Sequence, residues 1–77
     1  MKYGYRAPLF TTYYKTFSIG ICQMLPRKNG NGFKFGKAVV RVKARMEKYN
    51  AALATADGIV AALDSGRWDG RKTVKVV

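Results

Sequence analysis

Histidine is absent from this 77-residue chain, cysteine occurs once, and the first 46 residues hold no Asp or Glu. With Cys22 as the sole thiol, no intramolecular disulfide can staple the fold and no zinc site of the usual Cys and His type can be assembled. A nucleophilic thiol needs a neighbouring base, so Cys22 is expected to be a small packing residue in a reducing compartment. General acid and base catalysis draws on His or on paired carboxylates, and the chain offers only Glu47, Asp57, Asp64 and Asp69. Asp57 and Asp64 fall on one face of a helix but are separated by about 10.5 Å of rise, too far to share a metal directly. No catalytic residue, metal or cofactor is expected, and the chain is not expected to be an enzyme.

Long apolar runs are missing as well. The longest reaches five residues, against roughly 20 for a membrane-spanning helix. The opening Met1 to Arg6 lacks the apolar stretch of a secretory signal. A cytoplasmic location without a membrane partner is the expectation.

What the chain does contain is segregated positive charge. The first 46 residues carry ten Lys and Arg, the last 31 carry five basic and four acidic residues, and the net charge is +11. Such a charge opposes its own compaction unless a polyanion or an acidic surface neutralises it. The composition is that of a folded domain, since 48% hydrophobic and 13% aromatic residues exceed what a disordered basic tail would hold. At this length one core is all the chain can build, so residues 1–77 are expected to form a single small basic domain, with 1–10 as an N-terminal arm or edge strand.

Residues 37–46 alternate in the period of a strand. Lys37, Val39, Arg41, Lys43 and Arg45 share one side, and Ala38, Val40, Val42, Ala44 and Met46 the other. Residues 13–25 alternate likewise, with Tyr13, Phe17, Ile19, Ile21 and Leu25 opposite Thr16, Ser18, Gly20 and Cys22. Between them lie Arg27, Lys28, Asn29, Gly30, Asn31 and Gly32, and an Asn-Gly pair flanked by alternating strands predicts a hairpin. A turn at Asn29 and Gly30 makes paired positions sum to 59, opposing Phe17 to Val42, Ile19 to Val40, Ile21 to Ala38 and Cys22 to Lys37. A turn at Asn31 and Gly32 would keep the same faces but set Pro26 within the ladder, where it lacks its donor.

From Glu47 to Asp64 the period becomes helical, with Tyr49, Ala52, Leu53, Ala56, Val60 and Leu63 on one stripe and Gly66 positioned to close the helix. Thr73 to Val77 predicts a short last strand, and Tyr3 and Tyr5 could start another. The expected fold is α+β: a small antiparallel sheet of three or four strands, in the order β-β-α-β, packed on one face by a single helix.

In that architecture the helix covers the apolar face and the other face stays open. Alternate strand residues are about 6.6 Å apart, a spacing suited to following a phosphate backbone. Arg41, Lys43, Arg45, Lys37 and Lys15, with the basic glycine-rich tip at Arg27, Lys28 and Lys34, are the candidate nucleic-acid contacts. The tip is not a nucleotide-hydrolase phosphate loop, because it lacks the Gly-Lys-Ser/Thr ending and leads into a strand. Tyr14, Tyr5 and Trp68 are candidate base-stacking residues, weighed against simple packing at the domain edge. The expected activity is nucleic-acid binding, with double-stranded DNA favoured over RNA. An alternative is a small phage or mobile-element protein, of the anti-CRISPR type, docking on an acidic surface or nucleoprotein of host machinery. A ribonucleoprotein component ranks third.

Overall fold

β-Branched residues on one parity drive the two long strands, since they fill a pleated surface well and lose little freedom there. The computed structural model, which describes residues 2–6 and 15–77, places β2 at Thr16–Pro26 and β3 at Phe33–Arg45. Ile19 faces Val42 and Ile21 faces Val40 across the ladder. Each of these four side chains is at most 2% exposed. Tyr13 and Tyr14 at the start of the expected strand lie outside the described residues, as do Met1 and residues 7–10 of the N-terminal arm.

The hairpin turn is centred where the Asn29–Gly30 pair predicts. Gly30 N–H donates to the Arg27 carbonyl at 3.0 Å, and Arg27 N–H donates to the Gly32 carbonyl at 3.2 Å. The Asn29 side chain accepts the Asn31 N–H at 3.0 Å. Gly30 and Gly32 have φ of 76° and 79°, the left-handed region where a Cβ is strained. Near the turn Pro26 faces Phe33 and Met24 faces Phe35, so positions sum to 59, as expected.

Farther out the register departs from that expectation. Two irregularities, between Ile21 and Cys22 and between Cys22 and Met24, each insert an extra residue on β3. The pairing sum rises to 61, which opposes Phe17 to Ala44, Ile19 to Val42 and Ile21 to Val40. One bulge alone would have flipped every later side chain to the other face. Two restore parity, so the faces survive while the partners change. Cys22 faces Ala38 instead of Lys37.

After a single 3-10 turn at Met46–Lys48, α1 spans Tyr49–Asp64. Its buried residues are Ala52, Ala56 and Ile59. Two alanines let the helix axis approach the β-branched floor, and Ile59 fills the remaining depth. The helix ends in a Schellman arrangement: Gly66, φ 73°, donates to the Leu63 carbonyl and Arg67 to that of Ala62, satisfying carbonyls left over by the last turn.

The helix returns the chain to β4 at Thr73–Lys75, which pairs parallel to β3. β1, Lys2–Gly4, pairs antiparallel to β2 on the opposite side. The four-stranded sheet, ordered β1-β2-β3-β4, is therefore mixed where a purely antiparallel one was expected. A strand reached through a crossover helix naturally runs parallel to its neighbour. Among the described residues no helix is long and apolar enough to cross a membrane.

Candidate nucleic-acid interface

Partners in a ladder share a face, so the register sorts the exposed side chains. Thr16 and Arg45, Ser18 and Lys43, and Gly20 and Arg41 are paired on β2 and β3. Arg41 and Lys43 are continued on β4 by Thr73 and Lys75. None of these belongs to the buried cluster that meets the helix. Arg41, Lys43, Arg45 and Lys75 thus stand together on the open side of the sheet, all exposed. With Thr16 and Ser18 the last three of these cations line a shallow concavity at one end of that side.

Three of the four carboxylates are engaged elsewhere. Asp57 accepts the Tyr5 hydroxyl at 2.6 Å, and Asp64 accepts the Tyr3 N–H at 2.9 Å. Asp69 holds Arg71 at 2.8 Å. Glu47 lies 4.0 Å from Arg45 in an exposed pair, a contact of little energetic weight. Among the described residues, Arg41, Lys43 and Lys75 make no ion pair.

The remaining expected contacts are distributed around this cluster. Arg27, Lys28 and Lys34 line a second concavity at the hairpin tip, together with Asn29. Lys34 pairs with Leu25 and so shares the helix-side parity, which leaves the tip cations straddling the sheet. Lys37 is exposed but has no ladder partner, because it lies in the irregular stretch of β3. Lys15 is exposed just before β2, its carbonyl taking the Met46 N–H at 3.0 Å.

Two of the stacking candidates, Tyr5 and Trp68, are not brought to the cationic cluster. Tyr5 packs against the core, and its hydroxyl is pushed up to about 12 by the hydrogen bond to Asp57 and then by burial. Trp68 is half-buried against the same core, its indole N–H donating to the Arg71 carbonyl at 2.9 Å and its ring covered by the Arg71 guanidinium at 5.2 Å. Tyr14 lies outside the described residues.

The sequence reasoning missed Lys75, whose alternation with Val74 and Val76 was a signal, and it missed Phe33 and Phe35, which share the parity of Arg41 on β3. Among the described residues, no group of three or more His, Cys, Asp or Glu is placed to hold a metal. Comparison with known proteins finds no matching family model, no matching curated protein and no matching solved structure, so the chemistry of this face rests on its own geometry.

Proposed function

We propose that the chain is a nucleic-acid-binding module that lays the open face of its sheet along a phosphate backbone. The observation that carries this is the cluster of Arg41, Lys43, Arg45 and Lys75, exposed on one face, in which among the described residues only Arg45 meets a carboxylate, Glu47 at 4.0 Å, while Asp57, Asp64 and Asp69 are engaged elsewhere. A surface that served solubility alone would intersperse the two signs. Like charges on neighbouring strands destabilise a sheet, and a polyanion converts that cost into binding energy through counterion release. Ser18 and Thr16, paired with Lys43 and Arg45, add hydroxyl donors of the kind that contact phosphate oxygens.

The test is fluorescence anisotropy with labelled oligonucleotides across a salt series. Neutralisation of four phosphates gives a log-log slope of about −3.6 on duplex and about −2.8 on a single strand, and contacts from the tip steepen both. An affinity that is insensitive to salt, or absent at 50 mM salt, refutes the proposal and redirects the face to an acidic protein surface.

A further inference from the structure

The open face has a second half. Toward the hairpin end Phe35 pairs with Met24, and Phe33 pairs with Pro26. Phe33 is 52% exposed, a large apolar side chain left uncovered. The Arg6 guanidinium lies over the Phe35 ring, 5.1 Å from its centroid, within cation–π range. Between this aromatic end and the cationic cluster the floor is small: a Cβ placed on Gly20 would meet only the Ala38 methyl, at 3.8 Å. Gly4 leaves room for Met24, whose sulfur would stand 2.7 Å from a Cβ built there. The face is thus a smooth strip, with rings at one end and the cationic cluster at the other, along a molecule 38 Å in its longest dimension.

We infer that Phe33 and the Arg6–Phe35 pair form a stacking platform for unpaired bases, and that the ligand of this face is a single-stranded nucleic acid. The inference rests on the nucleic-acid reading above and replaces the preference for duplex. In a duplex the base faces are already stacked, and a ring reaches them only as a wedge that must unstack a step. A single strand offers its base faces freely, and aromatic rings or guanidinium planes accept them without regard to sequence. Phe35 and Arg41 face Met24 and Gly20, four residues apart on β2, so about 13 Å separates them and one strand of a few nucleotides can place bases on the rings and phosphates on the cations. The π-face and the phosphate are common to DNA and RNA, so both sugars are accepted.

The experiment measures wild type, Phe33→Ala, Phe33→Trp and an Arg41→Gln/Lys43→Gln double variant against dT20, rU20 and a 20-base-pair duplex. Wild type is expected to bind both single strands more tightly than the duplex. Phe33→Ala is expected to weaken the single strands by about 5- to 150-fold at an unchanged salt slope, and to alter duplex affinity by less than about twofold. Phe33→Trp is expected to restore binding. The double variant is expected to flatten the slope instead. Steep, salt-dependent binding that prefers duplex, or that ignores Phe33, overturns the platform and leaves the nucleic-acid reading standing. Absence of binding to all three probes overturns both. Loss of self-association in Phe33→Ala, with oligonucleotide affinity intact, assigns the ring to a protein contact and also overturns the platform.

Discussion

Replacing Lys43 by Gln should make the protein more stable and bind less well. Lys43 sits between Arg41 and Arg45 along β3 and beside Lys75 on β4. Neighbouring strands are about 4.8 Å apart and alternate residues about 6.6 Å, and flexible side chains splay their head groups to about 7.5 Å. Each repulsion is then about 0.6 kcal/mol in water before screening. With Debye lengths of about 30 Å at 10 mM and about 8 Å at 150 mM salt, the three neighbours together contribute about 1.3 and about 0.6 kcal/mol. The unfolded chain retains part of this repulsion, so the net gain is about 0.5–1 kcal/mol at 10 mM salt and a few tenths at 150 mM. For a domain of this size the low-salt gain corresponds to a rise of about 2–8 °C in Tm.

The same substitution removes one phosphate contact. The salt slope of binding should fall by about 0.7–0.9, which at 150 mM salt is a loss of roughly fivefold in affinity. Differential scanning fluorimetry at the two salt concentrations reads the first effect, and anisotropy reads the second. A Tm that drops at low salt would mean that the Lys43 stem packs more than its charge repels. An unchanged salt slope would mean that the charge never meets a phosphate.

Two further perturbations test the fold. Ile59 is 4% exposed and fills the helix–sheet interface, so Ile59→Ala should cost about 2–4 kcal/mol, whereas half-buried Leu53 should cost less on truncation, and chemical denaturation that ranks them the other way would show the helix rotated. The Tyr5 hydroxyl is held protonated by its hydrogen bond to Asp57, its titration raised from 10.0 to about 12. A raised folded-state value means that this bond stabilises fully below pH 10 and is lost as pH climbs toward 12, so the stability gap between wild type and Tyr5→Phe, followed by denaturation, should shrink to nothing over that window.

The elements visible in the sequence were those governed by local period and turn chemistry. Alternation exposed both long strands, Asn29 and Gly30 marked the turn, and the stripe from Tyr49 to Leu63 marked the helix. Partners along the ladder were not legible, because the two bulges on β3, one on either side of the Cys22–Ala38 pair, leave no mark in the period. They shift the pairing by an even number, so the cationic set on Arg41, Lys43 and Arg45 was readable even though its neighbours were not. Ile59 escaped the stripe because a helical face is broader than one row of residues. Lys75 escaped because its place beside Lys43 depends on β4 pairing parallel to β3, which the alternation of Thr73 to Val77 alone does not reveal. Tyr5 was grouped with cations by proximity in sequence, but β1 sets its side chain toward α1, where Asp57 takes the hydroxyl.

The segregation of charge along the chain becomes intelligible once it is mapped onto the layers. All four acids lie beyond Arg45, on or around the helix, and three of them stabilise it or its connection: Asp57 and Asp64 tie β1 to α1, and Asp69 holds Arg71 over Trp68. The long hairpin that precedes them has no acid to spend on its own cations. A helix layer that satisfies Asp57, Asp64 and Asp69 internally, beside a sheet face approached only by Glu47 at Arg45, is a two-sided electrostatic arrangement, in which the fold is assembled from one side and leaves most of the field of the other in place. Placing an acid on the open face would be the direct way to relieve the repulsion between Lys43 and Lys75, and such residues are common in sheets that only need to be soluble. Their absence from Thr16, Ser18 and Thr73, each a ladder neighbour of a cation, is the pattern expected where the relief comes from a bound polyanion.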